Sequence, residues 1–250
     1  MHWFSSHLMS WFANNKRIFP WRASDASLFV QVVSEVLLQR TRAETVAKFF
    51  PSFVLKYPDW KSLSEASNAD LERFLKPIGL WRRRASSLKN LACAMAARHG
   101  VFPLGRVEID ALPNVGQYIG NAIEMFSFGK PVPLLDVNMA RLLERFFGSR
   151  ILADIRHDPY LQRLAGRVVD LQEPKLMNWA ILDFASSVCS IKPRCETCPL
   201  RKRCSFYKAN ALETTSGKKL LTNASEFGLS PQTKRGTAVR PISNSTTKQE

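Results

Sequence analysis

Four cysteines fall within sixteen residues, as Cys189-x5-Cys195-x2-Cys198-x5-Cys204, and that crowding limits what this end of the chain can fold into. Disulfides among them would close only small, strained loops, whereas four thiolates this near in sequence can converge on one centre. The spacing implies a metal centre and leaves its identity open between zinc and an iron–sulfur cluster, since both accept four thiolates. Basic residues fill the gaps: Lys192, Arg194, Arg201, Lys202 and Arg203. The fifth cysteine, Cys93, sits in the apolar run 91–97 and reads as a small buried thiol on a helix face rather than as a nucleophile.

The rest of the chain is long and apolar enough for a substantial core, with 250 residues of which 45% are hydrophobic. The net charge is +15, and residues 209–250 hold six basic and three acidic side chains, so +12 belongs to residues 1–208. A folded domain this basic points to phosphate backbones as partners, because each lysine or arginine that neutralises a phosphate releases condensed counterions. A basic surface that is only solvated is the plain alternative. No signal peptide and no apolar run of membrane-spanning length is visible, so a cytoplasmic chain with reduced thiols and no membrane partner is expected.

Strand signals are scarce, and apolar residues recur at helical spacing, as in Val32, Val33, Val36, Leu37 and in Leu142, Leu143, Phe146, Phe147. The fold class is therefore expected to be all-α, with helix-sized segments cut at Pro51, Pro58, Pro77 to Gly79, Gly100, Pro103, Pro113, Gly129 to Pro133 and Gly148. From Ala209 the composition turns to Ser, Thr, Asn, Gly and Lys, which predicts a flexible tail over 209–250. Residues 110–128 read as a helix end, a tight turn Pro113-Asn114-Val115-Gly116 and a second helix opening at Gln117, a helix-hairpin-helix pattern whose free N–H groups suit a DNA phosphate. An ordinary helix corner would have the same outline. Twenty residues after Gly116 stands Asp136, which taken alone is a helix N-cap.

Taken together, the hairpin, Asp136, the four cysteines and the charge resemble the helix-hairpin-helix DNA glycosylase superfamily, in its endonuclease III and MutY branch. The stretches Pro20-Trp21-Arg22 and Ser34-Glu35-Val36-Leu37-Leu38-Gln39-Arg40-Thr41 are similar to the PWR and SEIMLQQT segments of MutY-type enzymes, and the order of motifs agrees over about residues 8–208. The resemblance implies two α-helical lobes: one from the terminal helices, about residues 1–24 and 135–208, and one of six helices over about 25–134. It also implies one 4Fe-4S cluster rather than zinc, in the loop 189–204. One departure stands out, because Ser190 to Arg194 leave five residues in the first cysteine gap, one fewer than is usual in the family.

The same resemblance assigns roles. Asp136, with Asn138 beside it, takes the place of the catalytic aspartate that stabilises positive charge on the deoxyribose or positions water. Glu35 lies inside an apolar helix, where burial should raise its pKa and keep it protonated as a general acid. Tyr118 occupies the place where bifunctional relatives carry a Schiff-base lysine, so a monofunctional enzyme that leaves an abasic site is expected. DNA contacts are expected from Gln39, Arg40 and Thr41, from Asn114, Val115, Gly116 and Gln117, and from Arg82 and Arg83, with the target base flipped out of the stack. Arg40-Thr41-Arg42-Ala43 looks more like the thymine/uracil–guanine mismatch enzymes than like the Gln-Gln-Thr of MutY, and the stretch after residue 208 is too short for the domain with which MutY reads oxidised guanine. Thymine or uracil opposite guanine is therefore the expected substrate, acted on by a monomer. Adenine opposite guanine or 8-oxoguanine is the alternative, and a DNA-binding module without turnover is a third reading. Asp183 is expected to be structural, tying the cysteine loop to the hairpin lobe.

Overall fold

The computed structural model describes residues 1–211; the predicted tail falls outside the described residues except for 209–211, which are helical. Among the described residues every regular element is helical, as the spacing of apolar residues requires. Eleven α-helices precede the helical stretch 205–211: α1 (His2–Asn15), α2 (Leu28–Leu38), α3 (Ala43–Lys56), α4 (Trp60–Glu65), α5 (Asn68–Leu75), α6 (Trp81–Ala97), α7 (Arg106–Asp110), α8 (Gln117–Phe128), α9 (Val137–Phe147), α10 (Pro159–Val169) and α11 (Pro174–Ser187). The segment from 25 to 134 carries α2 to α8, of which α7 is little over one turn.

Short polar residues set where most of these helices begin. Ser27, Asp59, Ser67, Asp136, Asp158 and Glu173 each accept a hydrogen bond from a backbone N–H of the following first turn, which satisfies donors the helix leaves open. Pro159 and Pro174 occupy first helical positions, where a missing N–H costs nothing. Pro51 departs from expectation: it lies inside α3 instead of ending a helix. Val46, Phe50 and Phe53 on that helix are fully buried, and their packing outweighs the hydrogen bond proline removes.

Among the described residues two large hydrophobic cores form, with a small third cluster of Ala122, Met125 and Leu134 beside them. The first gathers side chains from Phe19 to Ile123, and the second joins Phe4, Leu8 and Phe12 of α1 to α9, α10, α11 and Leu200 of the cysteine loop, with Phe126 packed against both. Phe19 and Trp21, placed by sequence among the terminal segments, stack on each other within the first core. The stripe that α6 buries runs through Arg84, Ala85, Leu88, Leu91, Ala92 and Met95, so Cys93 falls off it and is exposed, contrary to its reading as a buried thiol.

Asp183 is fully buried and accepts from the Arg17 backbone N–H (2.9 Å) and from Arg22 Nη1 (2.8 Å). It therefore ties the segment after α1 to α11, rather than the cysteine loop to the hairpin. The hairpin itself is held by Arg106, which donates to both oxygens of Asp110 (2.9 Å each), to Asn121 Oδ1 (2.6 Å) and to Glu124 Oε2 (2.8 Å). Gly120 makes that close approach possible, since a Cβ there would lie 3.1 Å from both Arg106 Nη2 and Asp110 Oδ1.

Candidate active site

The hairpin turn bends at Asn114, whose φ of 61° is left-handed, whereas Gly116 has an ordinary extended backbone and caps α8. A Cβ on Gly116 would meet nothing of this chain within 4 Å. Glycine is thus required neither by the backbone angle nor by internal packing, and its absent side chain leaves room for an outside group to approach the exposed start of α8. Asn114, Gly116 and Gln117 are exposed while Val115 is buried as the turn's anchor. Gln117 Nε2 donates to Gln162 Oε1 of α10 (3.2 Å).

At the second position of α8, Tyr118 reaches across to α2, where its hydroxyl donates to Glu35 Oε2 at 3.0 Å. Glu35 is only 4% exposed among the apolar residues of its helix. Burial, the largest influence, pushes its pKa up to about 7; the Tyr118 hydrogen bond and the Arg22 charge oppose the rise and the Asp136 charge adds to it. The Tyr118 hydroxyl is pushed well above its ordinary value, first by burial and then by the two carboxylates, so it stays a donor.

Asp136 is delivered by the extended segment between α8 and α9. Asn121 Nδ2 donates to the Pro133 carbonyl (2.8 Å) and the Leu134 N–H donates to the Oδ1 of fully buried Asn178 (2.7 Å), which fixes the approach. Asp136 is the N-cap that sequence alone suggests: Oδ1 accepts from the backbone of Asn138 (2.9 Å) and Met139 (2.8 Å), and Oδ2 accepts from Asn138 Nδ2 (2.6 Å). Burial raises its pKa against these bonds. Asn138 in turn accepts from Arg141 Nη2 (3.0 Å), which also donates to the Ala185 carbonyl. Capping therefore occupies Oδ1 twice and leaves Oδ2 with one partner.

Of the residues expected to meet DNA, Gln39, Arg40, Arg82 and Arg83 are exposed and Thr41 is half-buried. Arg40 has a left-handed φ of 57° at the tip of the α2–α3 connection. Arg82 lies over the Trp81 ring, 4.4 Å from its centroid.

The four clustered cysteines line one small, largely apolar space together with Arg145 and Leu200. Arg145 Nη1 lies 3.6 Å from Cys189 Sγ and donates to the Ser190 carbonyl (2.6 Å), and Arg141 Nε donates to the Cys189 carbonyl (3.0 Å). As bare thiols Cys195, Cys198 and Cys204 resist ionisation: burial, reinforced by the neighbouring sulfurs, raises Cys195 and Cys204 and pushes Cys198 up to about 11. Among the described residues no three His, Cys, Asp or Glu side chains are arranged to hold a single ion. In chemical type the four sulfurs are a soft donor set, with a guanidinium able to donate to one of them, although their present spacing does not bring them onto one ion.

The chain belongs to the HhH-GPD superfamily of base excision DNA repair proteins, whose family model matches residues 33–167. It is 34% identical over 206 residues to the thymine-DNA glycosylase of Aeropyrum pernix, an alignment covering 80% of this chain and 92% of that one. It also resembles the solved structure of a thermostable thymine-DNA glycosylase, with a TM-score of 0.76 and 31% identity, over 83% of this chain and 96% of the other. An adenine DNA glycosylase of Buchnera aphidicola is 29% identical over 80% of this chain, which spans 58% of that relative's length. Among the described residues no helix is long and apolar enough to cross a membrane.

Proposed function

We propose that the domain of residues 1–208 is a monofunctional DNA N-glycosylase that flips a mispaired base, thymine or uracil opposite guanine, from the duplex and leaves an abasic site. The observation that carries this reading is the meeting of two carboxyls of different character. Glu35 is buried, hydrogen-bonded to Tyr118 and has its pKa pushed up to about 7, while Asp136 is held by two N–H groups and an amide that favour its anion against burial. Glu35 donates its proton to the departing base as the C1′–N bond breaks and the bonding pair leaves with the base. Asp136 stabilises the positive charge that develops on the sugar, orients the water that adds to C1′ and accepts the proton that water gives up. Asn138 holds Asp136 Oδ2 in place through its side-chain amide.

Strand cleavage would need an amine for a Schiff base, and residues 111–123 contain no lysine. Asn114 and the start of α8 would grip a phosphate, Arg82 and Arg83 others, and Gln39, Arg40 and Thr41 would face the site vacated by the flipped base. The preference for thymine is supported by the likeness to the thymine-DNA glycosylase of Aeropyrum pernix, which spans nearly all of that relative. The second reading, adenine opposite guanine or 8-oxoguanine, is supported by the Buchnera aphidicola match to the same share of this chain. Duplexes with T, U or A opposite G, and A opposite 8-oxoguanine, are treated with pure protein and heated in alkali. Scission in the T or U strand and no adduct trapped by borohydride is the expected result. Scission only in the adenine strand establishes the second reading, mismatch binding without scission reduces the protein to a binding module, and a stoichiometric trapped adduct overturns the monofunctional assignment.

Cys189, Cys195, Cys198 and Cys204 would hold one 4Fe-4S cluster, a reading supported by the cavity they share. When bound, such a cluster supplies thiolate bonds that brace the loop bearing Lys192, Arg194, Arg201, Lys202 and Arg203 against the backbone of DNA. Protein purified without oxygen is expected to contain iron and acid-labile sulfide in equal amounts. Equimolar zinc without sulfide would reject the cluster.

A further inference from the structure

Arg84 closes the run Trp81-Arg82-Arg83-Arg84, but unlike the two arginines before it this one is only 4% exposed. Its guanidinium spans two loops. Nη1 donates to the carbonyls of Ile78 (2.7 Å) and Gly79, and Nη2 donates to the carbonyl of Gln39 (2.6 Å) and to Thr41 Oγ1 (2.6 Å). The Thr41 hydroxyl closes the ring by donating to the Ile78 carbonyl at 3.2 Å. Every one of these partners is neutral, and among the described residues no salt bridge to a carboxylate involves Arg84. A buried charge kept without a counter-charge is costly, and apolar packing alone would have served to join two loops.

What the clamp holds is unusual backbone. Arg40 and Leu80 are two of the four non-glycine residues with positive φ among the described residues, at 57° and 50°, and Gly79 between Ile78 and Leu80 is at 72°. Leu80 is 48% exposed, so no burial of its side chain compensates the left-handed conformation. The carbonyls of 39, 78 and 79 point at one guanidinium only while both loops are turned this way. An aliphatic and a planar cationic side chain therefore project from loops that share a single root, a pairing suited to a vacated place in a base stack, where an apolar wedge separates steps and a guanidinium stacks or reaches guanine.

We propose that Arg84 is a positioning residue that locks the 39–41 and 78–80 loops into one unit, and that this lock sets how strongly the protein prefers a mismatch over paired DNA. The inference rests on the reading of the protein as a glycosylase of duplex DNA. Lysine at this position reaches at most part of the four acceptors, because an ammonium lacks the planar fork that addresses both loops at once.

The test compares wild type, Arg84→Lys, Arg40→Ala and the double variant by equilibrium binding to a fully paired duplex and to whichever of T·G, U·G and A·G the wild type binds tightest. Thermal unfolding is recorded for each variant. Arg84→Lys should lower the mismatch preference about tenfold, and adding Arg40→Ala should cost little more, since residues acting through one another are not additive. Thr41→Val, which removes one acceptor and leaves the arginine, should move the preference in the same direction by less and keeps the test decisive should Arg84→Lys fail to fold. A fully additive double variant, or an unchanged preference in Arg84→Lys and Thr41→Val, overturns the proposal while leaving the glycosylase reading standing. A wild type with no mismatch preference at all overturns both.

Discussion

Asp136→Asn is expected to lower the single-turnover rate of base excision by about 10²- to 10⁴-fold, the span measured when a charge-stabilising or proton-handling group is removed from an active site. Binding of the mismatched duplex should remain as tight as in wild type. The separation follows from the two jobs of this side chain. Oδ1 caps α9 by accepting from Asn138 and Met139, and asparagine is as good an N-cap as aspartate, so the helix start survives. The full negative charge beside the reacting sugar does not survive. On the other side of the carboxyl, the new amide would place a donor against Asn138 Nδ2, now 2.6 Å from Oδ2, and that clash is relieved by turning one of the two amides. Arg141, which donates to Asn138 Oδ1, would register the turn. Excision assays with enzyme in excess, run beside titrations of the same duplex, check both halves, and an unchanged excision rate would remove Asp136 from the chemistry.

Features that depend on residues near one another in sequence were the legible ones. The N-cap at Asp136, the turn before Gln117 and the crowding of four cysteines are local patterns, and the structure places them as caps, turn and shared cavity. Where a local rule competes with tertiary packing the reading failed, as at Pro51, kept inside α3 by Phe50 and Phe53, and at Cys93, one position off the buried stripe of α6. The contact of Tyr118 with Glu35 spans 83 positions, and only the resemblance to a known family brought those two residues into one site. Arg84, Asp183 and Asn178 went unrecognised in their true roles for a different reason. Their partners are backbone carbonyls and N–H groups or residues as distant as Arg17 and Arg22, and neither kind of partner leaves a pattern in sequence. The run Trp81 to Arg84 shows the limit most sharply: three consecutive arginines look alike as letters, yet helix phase exposes two and buries the third.

Glu35→Gln is expected to cost about 10²- to 10⁴-fold in excision and to erase the alkaline fall of the pH profile. In wild type the acid form is needed, and with the Glu35 pKa pushed up to about 7 by burial, the rate should decline by up to about tenfold per pH unit above that value. Asp136, needed as the anion, limits the acid side. Tyr118→Phe removes the hydrogen bond that opposes the rise, so the alkaline limb should move to higher pH, not lower. The same shift has a consequence for stability with a definite sign. A carboxyl whose pKa is higher folded than unfolded binds its proton more tightly in the native state, so its favourable contribution is complete below the ordinary value of 4.5 and is lost as pH rises through about 7. Glutamine cannot ionise and suffers no such loss. Between pH 4 and pH 8 the variant should therefore gain about 3 kcal/mol of stability on wild type, the rise in pKa converted at roughly 1.4 kcal/mol per unit. Denaturant titrations at the two pH values check this, and a stability difference that does not change with pH would mean that Glu35 is ionised at neutrality and serves no acid role. A slowed variant that gains stability on its parent as pH rises is what a site built by burying a carboxyl for its chemistry should yield.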